Sequence, residues 1–126
     1  MPSILALDVG VTTGYCILAM DEPIPVAWGD VAVPYLGIAL PQLSKDCDYI
    51  IAEQPVIIRG PIGDQLLKAM ALVNYCFDGR KGFKWVQPHQ WKDSRFRLAP
   101  LPGKGMNPHE KDAYRMALWY QSKVAE

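Results

Sequence analysis

The sequence predicts an α/β domain: a mixed five-stranded sheet, with a three-strand antiparallel meander plus two parallel strands, and helices on both faces. Three observations carry this. Three short apolar runs near the start are joined by turns too short for crossover connections. Two later apolar runs are each preceded by a segment of helical spacing, as parallel strands require. A capped amphipathic segment then closes the chain.

Ser3–Asp8 (SILALD) is an apolar run ended by Asp-Val-Gly, a strand signal. Gly10–Gly14 (GVTTG) reads as a tight turn, and Tyr15–Met20 as the second strand. Asp21–Pro25 is a polar, proline-broken turn, and Val26–Val33 a third, looser strand. Residues 34–46 place Leu36, Ala39, Leu40 and Leu43 at helical spacing. Pro41 argues for a short helix or two turns there, because it lacks a donor and clashes with the preceding turn. Tyr49–Ala52 is the fourth strand, ending at Glu53. Residues 54–63 hold prolines and glycines and read as a loop, followed by an amphipathic helix over Asp64–Phe77. Phe83–Val86 is the fifth strand, residues 93–107 a mobile basic loop, and Asn107 opens a last helix to about Lys123.

At 126 residues the chain fits one domain, 1–126. Half of its residues are hydrophobic and 21% are charged, which excludes a disordered tail or a disulfide scaffold. The 13 basic and 13 acidic residues cancel, but they are segregated. Residues 1–56 carry a net charge of −6 and residues 57–126 carry +6. Most of the excess lies between Arg80 and Lys104, a hint of a polyanionic partner against the alternative of a solvated face. No apolar run approaches the ~18–20 residues of a membrane helix, and no signal-peptide pattern opens the chain, so it reads as cytoplasmic with no membrane partner. Cys16, Cys47 and Cys76 form no CxxC pair, so no zinc site or disulfide framework is indicated. Cys16 and Cys76 read as buried and Cys47 as exposed.

Asp8 ends a buried-looking strand beside Gly10 and Gly14, where a carboxylate can meet a metal or phosphate; a turn-forming Asp is the other reading. Glu53 follows three apolar residues, a costly place for a carboxylate unless it is paired, cation-bound or turned to water. Asn107, Pro108 and Glu110 form a capping box, which explains Glu110 structurally. His109 and Asp112 lie three apart and share a helix face, beside the packing stripe Ala113, Met116, Ala117 and Tyr120. Each could simply face solvent, or in the case of Asp112 favour the helix dipole. Together the four make an oxygen-rich cluster with one imidazole, suited to Mg²⁺ or Mn²⁺ and to phosphoryl chemistry.

ILALDVGVTTGY, DYIIAEQPV and PHEKDAYRMAL, in this order, resemble RuvC-type Holliday junction resolvases of the RNase H-like superfamily. VQPHQWK is similar to the Pro-x-x-Trp-Lys segment of small phage-type relatives. The resemblance implies an RNase H-like fold and a homodimer. It implies Mg²⁺, with Mn²⁺ substituting, held by Asp8, Glu53, His109 and Asp112 as the catalytic set. It also implies in-line attack of water on a phosphodiester of four-way or branched DNA, by paired symmetric nicks that leave 5′-phosphates.

Where cellular members carry an aromatic three residues after the glutamate, this chain has Val56, followed by Ile57 and Ile58. The candidate DNA-binding residues are Arg59, Lys81, Lys84, Lys92, Arg95, Arg97, Lys104 and Lys111, with Lys92 and Lys104 foremost. Trp85, Trp91 and Phe96 are interleaved with these charges; Trp85 reads as core, and Trp91 is left open between core and base stacking. The competing readings are a YqgF-like RNA-processing nuclease and a non-catalytic junction-binding protein on the same fold. The apolar surplus on the 64–77 helix is the candidate dimer surface.

Overall fold

The computed structural model describes residues 2–56 and 59–125. Five strands, β1 (Ser3–Asp8), β2 (Thr12–Ala19), β3 (Pro25–Ala32), β4 (Tyr49–Glu53) and β5 (Phe83–Val86), form one sheet in the order β3-β2-β1-β4-β5. The first three pair antiparallel, while β1–β4 and β4–β5 are parallel. The predicted meander and parallel pair are therefore both present. Helices α1 (Val33–Ser44) and α2 (Pro61–Phe77) cover one face, and α4 (Pro108–Ala125) covers the other. A five-residue helix, α3 (Pro88–Lys92), and a 3-10 turn (Arg95–Leu98) fill the segment after β5.

Strand alternation divides the core. Ile4 and Ala6 of β1, Cys16 and Leu18 of β2 and Ile51 of β4 turn toward α4. Leu5, Leu7, Ile50 and Ala52 turn toward α1 and α2. All of these are essentially without solvent exposure, as expected for strands covered on both sides.

Several expectations are corrected. α1 runs through Pro41 as one helix. The lost bond and clash cost about 3 kcal/mol, but Val33, Leu36 and Leu40 are buried on its inner face, each worth about 1.5–3 kcal/mol, so packing wins. α2 begins at Pro61 rather than Asp64; proline suits a first helical position, where no donor is needed. β2 begins at Thr12, so Gly14 lies in a strand opposite Asp8 rather than in a turn. Cys47 is buried, its thiol donating to the Leu43 carbonyl at 3.5 Å, and burial raises that thiol to about 11. The basic loop is interrupted by the 3-10 turn, capped by Ser94, whose hydroxyl accepts from the Phe96 amide at 3.2 Å.

α4 is fixed at both ends. Its Asn107–Glu110 capping box forms as predicted: the Asn107 side chain accepts from the Glu110 amide at 2.9 Å and Glu110 accepts from the Asn107 amide at 2.8 Å. Further along, Tyr114 donates to the Pro23 carbonyl at 2.7 Å and Gln121 donates to the Ala19 carbonyl at 2.8 Å. Ala113 and Ala117 are fully buried against the sheet. Among the described residues no helix is long and apolar enough to cross a membrane.

Candidate active site

The alternation that buries Ile4 and Ala6 carries one step further to Asp8, and that of Ile51 carries to Glu53, so both carboxylates face α4. The parallel register sets Asp8 directly beside Glu53, on strands that run about 4.8 Å apart. On its other side Asp8 pairs with Gly14. A Cβ at Gly14 would lie 2.4 Å from the His109 carbonyl carbon, so the absent side chain is what admits the first turn of α4. That approach puts His109 Nδ1 3.1 Å from Asp8 Oδ2.

The electrostatics follow from this crowding. The Asp8 carboxyl is pushed from 3.8 up to about 6, mainly by burial and then by the negative charge of Glu53. Asp112 adds a smaller push upward, while the hydrogen bond and charge of His109 pull the other way.

Glu53 is only 6% exposed, and both its oxygens are engaged. Oε2 accepts from the Trp91 indole N–H at 2.5 Å and Oε1 from the Lys92 ammonium at 3.2 Å. These donors come from α3. Gln87 caps that helix by donating its amide to the Gln90 side chain at 2.8 Å, and its own side chain donates to Gln54, next to Glu53, at 2.6 Å. The single turn is thereby folded back over the ends of β4 and β5. Asp112, one turn along α4, lines a cleft of about 540 Å³ with Trp91, Lys92, Arg97, Leu98 and Arg115.

Of the four predicted site residues, Asp8, Glu53 and His109 are direct neighbours, and Asp112 lies one turn along α4 with Lys92 and Arg97. Lys81 and Lys84 lie apart: they open onto a hollow with Asp48, Tyr49 and Tyr120, toward the start of β4. The strand register puts that hollow at the opposite end from Glu53. Arg95 stacks on Phe96 with 4.9 Å from guanidinium carbon to ring centroid. Lys104 is exposed in the loop before α4, Lys111 lies in the first turn of α4, and Arg59 is exposed just before α2. Val56 is exposed, while Ile57 and Ile58 lie outside the described residues.

Two residues were missed. Trp91 is 1% exposed, which closes the stacking option and makes it a buried donor to Glu53. Arg115 stands three residues after Asp112; the His109–Asp112 spacing, continued by three more, points to it. Trp85 is partly buried, its N–H donating to Asn74 at 2.9 Å.

Among the described residues, no three His, Cys, Asp or Glu side chains form a ready metal cage. Glu53 is turned to Trp91 and Lys92 instead. The donor chemistry nonetheless fits a hard divalent cation: carboxylate oxygens with one imidazole, and an Asp8 whose charged form is disfavoured by burial first and by the neighbouring Glu53 second. Asp8, Glu53, His109 and Asp112 could hold such an ion once Lys92 yields.

No family model matches the sequence, and no curated protein matches it. Among solved structures, the chain is similar to Thermus thermophilus RuvC in complex with a Holliday junction substrate. That similarity has a TM-score of 0.76 at 12% identity and covers 98% of this chain and 96% of that one. A second Thermus thermophilus RuvC structure gives 0.74 at 13% identity, with the same coverage. The fold is therefore RNase H-like, with the sheet and helices of RuvC.

Proposed function

We propose that the chain is a divalent-metal-dependent endonuclease that cuts four-way or branched DNA by paired nicks, acting as a homodimer. One observation supports this most directly. Asp8 and Glu53 stand side by side, with His109 on Asp8 and Lys92 on Glu53, next to a cleft where Asp112 meets Lys92, Arg97 and Arg115.

In this reading the three cations bind the phosphodiester and bring it to the carboxylates. His109, held by Asp8, stands where it can take or hold a proton at its ring nitrogen. Trp91 orients Glu53, and the buried floor of the cleft limits water. A bound Mg²⁺ or Mn²⁺ would supply positive charge to the reacting phosphate and lower the pKa of a coordinated water. The homodimer would use the exposed apolar residues of α1 and α2, among them Tyr35, Ile38, Leu67 and Tyr75.

The test is cleavage of a four-way junction, a linear duplex and a structured RNA, with and without Mg²⁺. Mg²⁺-dependent cutting of the junction is expected, lost to background in Asp8→Asn with junction binding kept. Preference for RNA would favour the RNA-processing alternative. Binding without cutting by the wild-type chain would favour the non-catalytic one.

A further inference from the structure

Beyond Asp112 and Arg115, α4 carries three residues that no step above uses, Trp119, Ser122 and Lys123. Asp112, Arg115, Trp119, Ser122 and Lys123 recur at spacings of three and four, so they form one stripe along the helix. That stripe faces the 3-10 turn. Arg97 of the turn lines the catalytic cleft with Asp112 and Arg115. Arg95 and Phe96 of the same turn line a separate hollow of about 300 Å³ with Ser94, Trp119, Ser122 and Lys123. The two hollows make one seam between the turn and α4.

The chemistry of the seam is one-sided. Among the described residues, Asp112 is the only acid lining it. Lys123 sits over the Trp119 ring at 5.2 Å, as Arg95 does over Phe96. Among the described residues neither cation has a carboxylate within ion-pair distance. Two aromatic rings, two cations and the Ser122 hydroxyl suit a ligand that is anionic in one part and flat in another, which describes a nucleotide within a strand.

The dimensions agree. From Asp112 to Lys123 is eleven residues of helix, about 16 Å at 1.5 Å per residue. One strand of a duplex presents a phosphate about every 3.4 Å of axis, so the stripe spans about five nucleotides.

We infer that the seam is a track for the DNA arm leaving the cut: Arg97 and Arg115 hold the phosphates nearest the carboxylates, and Arg95, Trp119 and Lys123 hold the strand about five nucleotides further on. This rests on the nuclease reading, and it gives that reading a requirement on arm length. The Trp119 ring, whose inner side packs against the core, and the Lys123 ammonium are then contact residues as well.

The experiment measures metal-free binding of hairpin-closed four-way junctions with arms of about 4 or about 15 base pairs, lengths set by the phosphate repeat. The wild-type chain is compared with Arg95→Ala/Lys123→Ala, both side chains being exposed. On long arms the double variant should bind about tenfold more weakly, and its slope of log affinity against log salt should fall by about 2. On short arms the deficit should shrink to about twofold or less. Trp119→Phe, which keeps a ring, should show a smaller deficit with the same arm-length dependence. Equal deficits on both lengths, or none on long arms in a chain that binds and cuts junctions, would overturn the track alone. A wild-type chain that binds no junction would overturn the nuclease reading and the track with it.

Discussion

Asp8 shows how burial and charge set the behaviour of a single carboxylate. Its pKa is raised from 3.8 to about 6 by burial and by Glu53, so the folded protein holds this proton more tightly than the unfolded chain does. Ionised Asp8 therefore opposes folding. The penalty is absent below about pH 4, grows between pH 4 and 6, and is complete above that, at up to about 3 kcal/mol. In metal-free buffer at pH 7.5, Asp8→Asn should raise the melting temperature, and the gain should vanish at pH 3.5. Divalent cations should raise the melting temperature of the wild-type chain and not of the variant. A variant that melts lower than wild type at pH 7.5 would contradict this account.

Trp91 makes a second prediction at this scale. Trp91→Phe keeps an aromatic ring and removes the N–H that fixes Glu53. Cleavage should fall about 10–100-fold, with a higher Mg²⁺ requirement, as when partners of metal-holding groups are removed. A metal titration of cleavage, with a thermal melt beside it, separates this from simple unfolding. The carboxylates themselves were legible in the sequence, because strand ends and glycine neighbours are local signals. Trp91 was not, since its partner lies 38 residues away and nothing in PHQWK reports that distance.

At the scale of elements, the site depends on how closely α4 meets β2. Gly14 is the point of contact, with the His109 backbone in the space a methyl group would need. Gly14→Ala should tilt or lift the first turn of α4 and draw His109 away from Asp8. Its stability cost should be about 1–3 kcal/mol, typical of overpacking, while its loss of cleavage should be far larger. Circular dichroism melts and junction-cleavage rates on one preparation measure both.

The strands were legible because apolar runs and turn residues mark them, and so was the α4 cap. The reading of Gly14 as a turn residue failed because glycine signals freedom without saying whether a turn or a neighbour needs it. α1 crossed Pro41 because the buried face outweighs a local penalty. α3 escaped notice because five residues are too few to show a helical period.

At the scale of the molecule, charge neutrality conceals a meeting of opposites. The acidic half contributes Asp8 and Glu53, and the basic half contributes Lys92, Arg97, Arg115, His109 and Asp112. The two halves are not held apart on separate faces; they meet where His109 reaches Asp8 and Lys92 reaches Glu53. Lys81 and Lys84 belong to the same basic run but open elsewhere, which a linear sum of charge cannot show.

The opposite face of the sheet carries the candidate dimer surface. Leu67, Ala71 and Tyr75 recur every four residues on α2, and Tyr75 is 90% exposed. Sedimentation should show a dimer, and Leu67→Glu/Tyr75→Glu should give monomers that still bind a junction but no longer make paired nicks. A wild-type chain that sediments as a monomer at all concentrations would remove the basis for symmetric cutting.

The hydrogen bond between His109 and Asp8 joins residues 101 apart in the chain, and this has a consequence for timing. The strands that carry both carboxylates can pair before α4 docks, but the imidazole, Asp112 and Arg115 arrive only with α4. Under the proposed function, a chain whose α4 has not docked, or has come loose, would hold carboxylates without their partners. Cutting ability would then appear abruptly, with the docking of α4, so that incompletely folded copies are harmless to the DNA around them.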